Sequence, residues 1–249
     1  MKTFIHVALS RCLCVCLLML AGTTTGVVAS TDHVAQQILI TNVNIFDGVQ
    51  DKLIEDQDVL IEDNLIKAIG PDLPAGPDVQ VIDGGGRTLM PGLIDMHTHL
   101  MFRYGVSAMR SEFDAQAAGA AAMETLQLYM QRGYTSVRDV GGNSLGLARN
   151  VAAGRLKGPR IYSSGGAISA ISGHNDLAMF SEDPHDDVFT RRGDTNIVTG
   201  PVEAREATRR LLRSGASQIK IMVGGGVASD FDPLEADTMS EDEIRAIVE

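Results

Sequence analysis

Leu89-Met90-Pro91-Gly92-Leu93-Ile94-Asp95-Met96-His97-Thr98-His99-Leu100 is the stretch on which the reading of this 249-residue chain turns. An apolar run follows Pro-Gly and closes on two histidines one residue apart. In a β-strand alternate side chains project to the same face. His97 and His99 therefore point together, while Met96 and Thr98 point the other way. Two neutral imidazoles on one face supply most of the protein ligand set of a catalytic zinc site. The competing reading is a satisfied core pair or two exposed strand residues. Placement directly after Pro-Gly and an apolar run favours the metal.

Downstream of this strand the pattern alternates strand and helix. Ala115–Arg132 is alanine-rich and helical, with Gly133 placed to end it. Thr135–Val140 reads as a second strand. Leu145–Ala153 reads as a short helix stopped at Gly154. Arg160–Ser163 reads as a third strand. Val202–Ser214 is a helix with Pro201 in its first turn and Gly215 beyond its end. Gln218–Val223 is a fourth strand, and Ser240-Glu241-Asp242-Glu243 is a capping box opening another helix. Alternating βα units imply a parallel sheet, and barrel active sites gather where strands end. A closed (β/α)8 barrel takes about 250 residues. The stretch from 91 to 249 is shorter, so the expectation is a partial barrel of about four strands in a fragment. The rival is a complete four-stranded open sheet. Between the third strand and the next helix, Gly165–Gly200 is polar, and it reads as a long functional loop over the site.

Upstream, residues 36–90 read as short strands and turns: Ile38–Ile40, Val43–Phe46, Val59–Ile61, Leu65–Ile69 and Val79–Ile82. A hairpin turn is expected at Glu62-Asp63-Asn64, and Asp83-Gly84-Gly85-Gly86 follows the last strand. This is a small β-rich unit, spanning 30–90. Residues 1–29 read as a signal peptide. Lys2 and Arg11 give a positive start, Cys12–Ala21 an apolar centre, and Val27-Val28-Ala29 a small-residue cleavage site before Ser30. The alternative is an uncleaved anchor. The expected location is the periplasm or the exterior. All three cysteines (Cys12, Cys14, Cys16) lie in this segment. The predicted mature chain thus has no thiolate ligands, and any metal must use His, Asp, Glu or a modified Lys. Loss of Lys2 and Arg11 takes the formal charge from −11 to −13, which disfavours nucleic acid and anionic membrane as partners.

Lys220 sits in the fourth strand between Ile219 and Ile221. Burial of a charged ammonium is costly, so the neutral amine is favoured. A neutral amine reacts with carbon dioxide to give a carbamate, whose two oxygens can bridge two metal ions. The alternative is a lysine snorkelling to the rim or paired with a carboxylate. Asp139 reads as a structural hydrogen-bond acceptor, and His185, among acids, as solvated. Gly224-Gly225-Gly226 lacks the ending of a phosphate loop and reads as a tight turn.

The run from Leu89 to His99 resembles the signature of the amidohydrolase superfamily. Ser136–Gly142, Gly173-His174 and Gln218–Val227 resemble its branch of imidazolonepropionase-like enzymes and Xaa-Pro dipeptidases. The likeness spans nearly all of 36–249. It implies zinc held by His97 and His99, with carboxylated Lys220 bridging to a second zinc. It implies two further histidines and a general-base aspartate on later strands, beyond Glu249. His174 is implied to bind substrate at a terminal carboxylate. The implied activity is hydrolysis of an amide or peptide C–N bond, dipeptidase-like, on a small substrate. The alternatives are an inactive fragment, a non-catalytic barrel binding protein, and a one-metal cyclic amidase or deaminase. A homo-oligomer fits the scaffold.

Overall fold

A computed structural model describes residues 35–111, 114–227 and 229–249. The signal peptide expected at 1–29, with the three cysteines, lies outside the described residues. The chain divides into two units, one holding described residues 35–44 and 54–88, the other holding 45–53 and Leu89–Glu249.

In the first unit, β1 (Gln37–Ile45), β2 (Ile54–Glu62), β3 (Leu65–Gly70) and β4 (Gln80–Leu89) form one sheet in the order β3-β2-β1-β4. Leu39, Val43 and Val59 are buried within it. The expected hairpin joins β2 to β3 in antiparallel register, with Asp63 at φ 54° at the turn. The glycine run behaves differently from expectation. β4 does not stop before Gly84 but continues through the glycines to Leu89. A Cβ on Gly84 would lie 2.2 Å from the Val43 side chain, so the glycine lets two strands approach.

The second unit starts with β5 (Leu93–Thr98), α1 (Val106–Ser111), α2 (Ala115–Gln131), β6 (Tyr134–Asp139), α3 (Leu145–Ala152) and β7 (Arg160–Ser163). It continues with β8 (Ala167–Ala170), α4 (Val188–Arg192), β9 (Thr195–Val198), α5 (Pro201–Arg213), β10 (Ile221–Met222) and α6 (Glu241–Val248). Two parallel three-stranded sheets result, β5-β6-β7 and β10-β8-β9. Backbone ahead of β10 bridges them: Ser217 N–H donates to the Ser163 carbonyl, and Ile168 N–H donates to the Lys220 carbonyl, both at 2.9 Å. Among the described residues this is a mixed α/β fold with part of a barrel and no closed one.

The polar stretch from Gly165 to Gly200 is the chief departure from the sequence reading. It is not one long loop but carries β8, α4 and β9. Every residue of β8 is buried, although Ala-Ile-Ser-Ala gives no strong strand signal. Asp187 caps α4 by accepting from the Phe189 and Thr190 N–H groups, and Gly193 ends it at φ 76°. The fourth strand is also shorter than expected. Only Ile221–Met222 is strand, with Lys220 just ahead of it.

Helix positions follow local chemistry. The Asp114 carboxylate accepts from Gln116 and Ala117 N–H and starts α2. Its buried stripe, Ala118, Ala121, Ala122 and Leu126, follows helical spacing. Leu126 packs with Leu100 and Val137, fixing the far side of β5 and β6. In α5, Ala204, Ala207, Thr208 and Leu211 form the corresponding stripe, and Ile168, Val198 and Ile247 join it in one core. The expected Ser240/Glu243 capping box opens α6.

Asp139 ties the strand ends together. It is fully buried. Its carboxylate accepts the Leu100 N–H at 2.8 Å and the Ser144 hydroxyl, and Ser144 lies 2.7 Å from the Ser163 hydroxyl. Its carbonyl accepts from Ser164 N–H at 2.9 Å. Burial pushes its pKa up to about 7, against the bonds from Ser144 and Leu100, which lower it, while the Asp194 charge adds to the rise.

Two outcomes follow from this packing. Leu126→Ala opens a cavity beneath β5 and should lower stability by about 2–5 kcal/mol in denaturant unfolding. Asp139 holds its proton in the folded state to higher pH than in the unfolded chain, so stability is lost as pH rises from about 4 to about 7, by roughly 1.4 kcal/mol per pH unit. Asp139→Asn removes that slope. The difference in Tm between variant and parent should therefore move in the variant's favour between pH 5 and pH 7.5, and a constant difference would refute the assignment.

Candidate active site

The alternation expected of the His-x-His strand is present. Thr98 and Leu100 are buried, whereas His97 and His99 are exposed. The two imidazoles come together with ring centroids 5.3 Å apart at 74°. Several bonds fix the backbone beneath them. His97 N–H donates to the Asp95 carboxylate at 2.9 Å. Tyr129 donates its hydroxyl to the other Asp95 oxygen at 2.8 Å and lies 2.6 Å from the Thr98 hydroxyl. Val140 N–H donates to the Thr98 carbonyl at 3.0 Å.

His99 is the better sheltered ring by its surroundings, although the residue as a whole is exposed. It meets Phe102 edge-on, with centroids 6.0 Å apart. Burial lowers its pKa first. A hydrogen bond with the Gly141 backbone opposes this, and the charges of His97, Lys220 and His174 push it lower. The outcome is a neutral imidazole, the form that binds metal. The Gly141 bond orients the ring, as second-layer partners of metal-binding histidines do.

Lys220 is half-buried at the head of β10, and its charge reaches His99. Among the described residues its ammonium has no carboxylate partner. Of the predicted residues, the structure pairs His97 with His99, and the charge of Lys220 is felt at His99. Among the described residues, no three His, Cys, Asp or Glu side chains gather into a metal-binding group. The two imidazoles suit a metal by their chemistry.

His174 is half-buried, and its Nδ1 lies 3.0 Å from both the Asp232 carboxylate and the Ser229 hydroxyl. An ionised carboxylate only accepts, so Nδ1 carries the proton and Nε2 is the free nitrogen. Asp232 is buried and also receives the Gly226 N–H at 2.6 Å. A Cβ on Gly226 would lie 2.0 Å from His174 Nδ1. The glycine triplet is not the tight turn expected: Gly224 bridges Asp237 in antiparallel fashion and the next two glycines are irregular, the last making room for this ring. The sequence reading missed Asp232 and Ser229, which stand 58 and 55 residues from His174. A cavity of about 150 Å3 lies between His99 and His174. His185 is exposed beside Asp183, in keeping with its reading.

The profile of the amidohydrolase family matches residues 88–249. The chain belongs to the amidohydrolase family. Ochratoxinase from Aspergillus niger is 33% identical over 178 residues, covering 65% of this chain and 36% of that protein. A crystal structure of a prolidase complexed with N-methylphosphonate-L-proline superposes with TM-score 0.78 at 34% identity, over 86% of this chain and 53% of the other. A Xaa-Pro dipeptidase with methionine bound in its active site gives TM-score 0.73 at 28% identity, over 86% and 53%. This chain therefore spans about half or less of the length of these relatives. The amidohydrolase relatives are hydrolytic enzymes, and members of the family generally bind metal ions.

Gly226→Ala should displace the His174 ring and break its bond to Asp232. In an NMR spectrum the His174 imidazole signals should shift by far more than those of His185, and unmoved His174 signals would refute the packing argument.

Proposed function

We propose that this amidohydrolase cleaves an amide or peptide bond of a small, dipeptide-like substrate with the help of zinc. The observation that carries the reading is the pairing of the His97 and His99 rings with Lys220 in reach of the same ring and no carboxylate on the lysine among the described residues. His97 and His99 would hold the metal. Lys220, carboxylated, would bridge to a second ion. When bound, zinc polarises a scissile carbonyl and lowers the pKa of water.

The chain's own residues prepare the rest. Gly141 keeps His99 in one orientation. Asp95, Tyr129 and Asp139 hold the backbone on which both histidines stand. His174, with Nδ1 committed to Asp232, has Nε2 free to meet a terminal carboxylate of the substrate. The general base is not assigned to any described residue. The prolidase and Xaa-Pro dipeptidase likenesses support a dipeptide-like substrate, and the leader-like residues 1–29 support export. The alternative, a one-metal cyclic amidase or deaminase, differs in leaving Lys220 a free amine.

Zinc titration with elemental analysis separates these readings. The full-length protein should take up two zinc ions per chain in bicarbonate buffer. His97→Ala and His99→Ala should each weaken zinc binding by at least about tenfold. Lys220→Ala should lose the second ion, and a zinc content unaffected by this change would sink the bridging role.

A further inference from the structure

The cavity of about 150 Å3 between His99 and His174 is walled by Phe102, Val106, Leu177 and Met222. Its walls are drawn from separate elements: the turn after β5, α1, the loop after β8, and β10. Apart from the two histidines and Asn175 its lining is apolar. Among the described residues two buried polar atoms lack hydrogen-bond partners here: Nδ2 of Asn175 and Oδ1 of Asp232. Asp232 spends its other oxygen on His174 and the Gly226 N–H, and among the described residues it holds nothing else. A buried carboxylate with a single basic neighbour is costly unless it holds that neighbour in place.

The pocket is half open to solvent, and its apolar walls leave room for a group about the size of benzene. It opens beside the ring proposed to hold metal, so a group filling it stands next to the bond to be cut. We propose that this cavity takes one apolar side chain of the substrate, between isobutyl and phenyl in size, and that Asp232 is a positioning residue that aims His174 at the substrate carboxylate. The inference rests on the hydrolase reading for the word substrate, but the pocket and its aim are properties of this chain. Glycine-like substrates leave the cavity empty and forgo the burial of apolar surface. Groups larger than phenyl clash with Phe102 and Leu177.

Binding of N-acetyl-leucine, N-acetyl-glycine and N-acetyl-leucinamide to the 249-residue chain, followed by calorimetry with and without zinc, tests both halves. N-acetyl-leucine should bind at least about tenfold more tightly than N-acetyl-glycine. Val106→Phe, and separately Met222→Trp, should fill the cavity and abolish that preference. Equal affinity of the parent for the two acids would overturn the pocket. Asp232→Asn should weaken both acids several-fold and leave the amide unchanged, since only the acids present a carboxylate. Equal loss for acid and amide would mark Asp232 as merely structural and overturn its aiming role. Zinc content of the same samples reports on the hydrolase reading separately: absence of zinc uptake with the leucine preference intact would sink that reading and leave the pocket standing.

Discussion

The carboxylate of Asp139, accepting the Leu100 N–H, is the contact on which the candidate site depends. It locks the residue directly after His99 to the end of the neighbouring strand. The Ser144 hydroxyl satisfies its second oxygen, and Ser144 in turn meets Ser163 at the end of β7. Three strand ends are therefore fixed by one buried side chain. Gln218, two residues before Lys220, reaches the Asp139 carbonyl at 3.3 Å and the Tyr162 carbonyl at 3.0 Å. The strand that offers the imidazoles and the segment that offers the amine are thus referred to the same point. A buried acid is an expensive fastener, and the raised pKa of Asp139 is the visible sign of that cost.

A second fastener lies farther out. Arg192 pairs with Asp194 at 2.6 Å, both largely buried, and donates to the Met109 carbonyl at 3.0 Å. Its guanidinium lies 4.8 Å from the Phe189 ring, with Arg110 at 5.9 Å. Arg110 also donates to the Leu177 carbonyl at 2.5 Å. Asp194 accepts the Asn143 N–H at 3.1 Å. α1, α4 and the turn after β6 are held around one aromatic ring, and Leu177, a wall of the cavity by His174, is set by this arrangement.

What was legible in the sequence depended on period and on caps. His97 and His99 were readable because side chains in a strand alternate, and their rings do converge. Gly133, Pro201 and the Ser240/Glu243 box marked helix ends that the structure repeats. The segment from Gly165 to Gly200 was not readable because its strands are only four residues long and β8, Ala-Ile-Ser-Ala, is mostly small residues. Asp187 resembled one more loop acid, yet it caps a helix. Gly84 to Gly86 looked like a turn because glycine more often punctuates than continues a strand. The pairing of His174 with Asp232 was beyond reach, since neither its distance in sequence nor its local pattern announces a contact that only the folded chain creates.

The order β5-β6-β7 carries a mechanical meaning. Among the described residues β5 has a neighbouring strand on one side only, and Ile94 and Met96 along it are 60% and 56% exposed. The histidine-bearing strand is therefore braced like a shelf fixed along one edge. Side chains already engage backbone groups along it: the His97 N–H donates to the Asp95 carboxylate and the Met96 carbonyl accepts from Arg138. The rigidity of the histidine pair is thus governed from the strand's backbone, which neither ring touches.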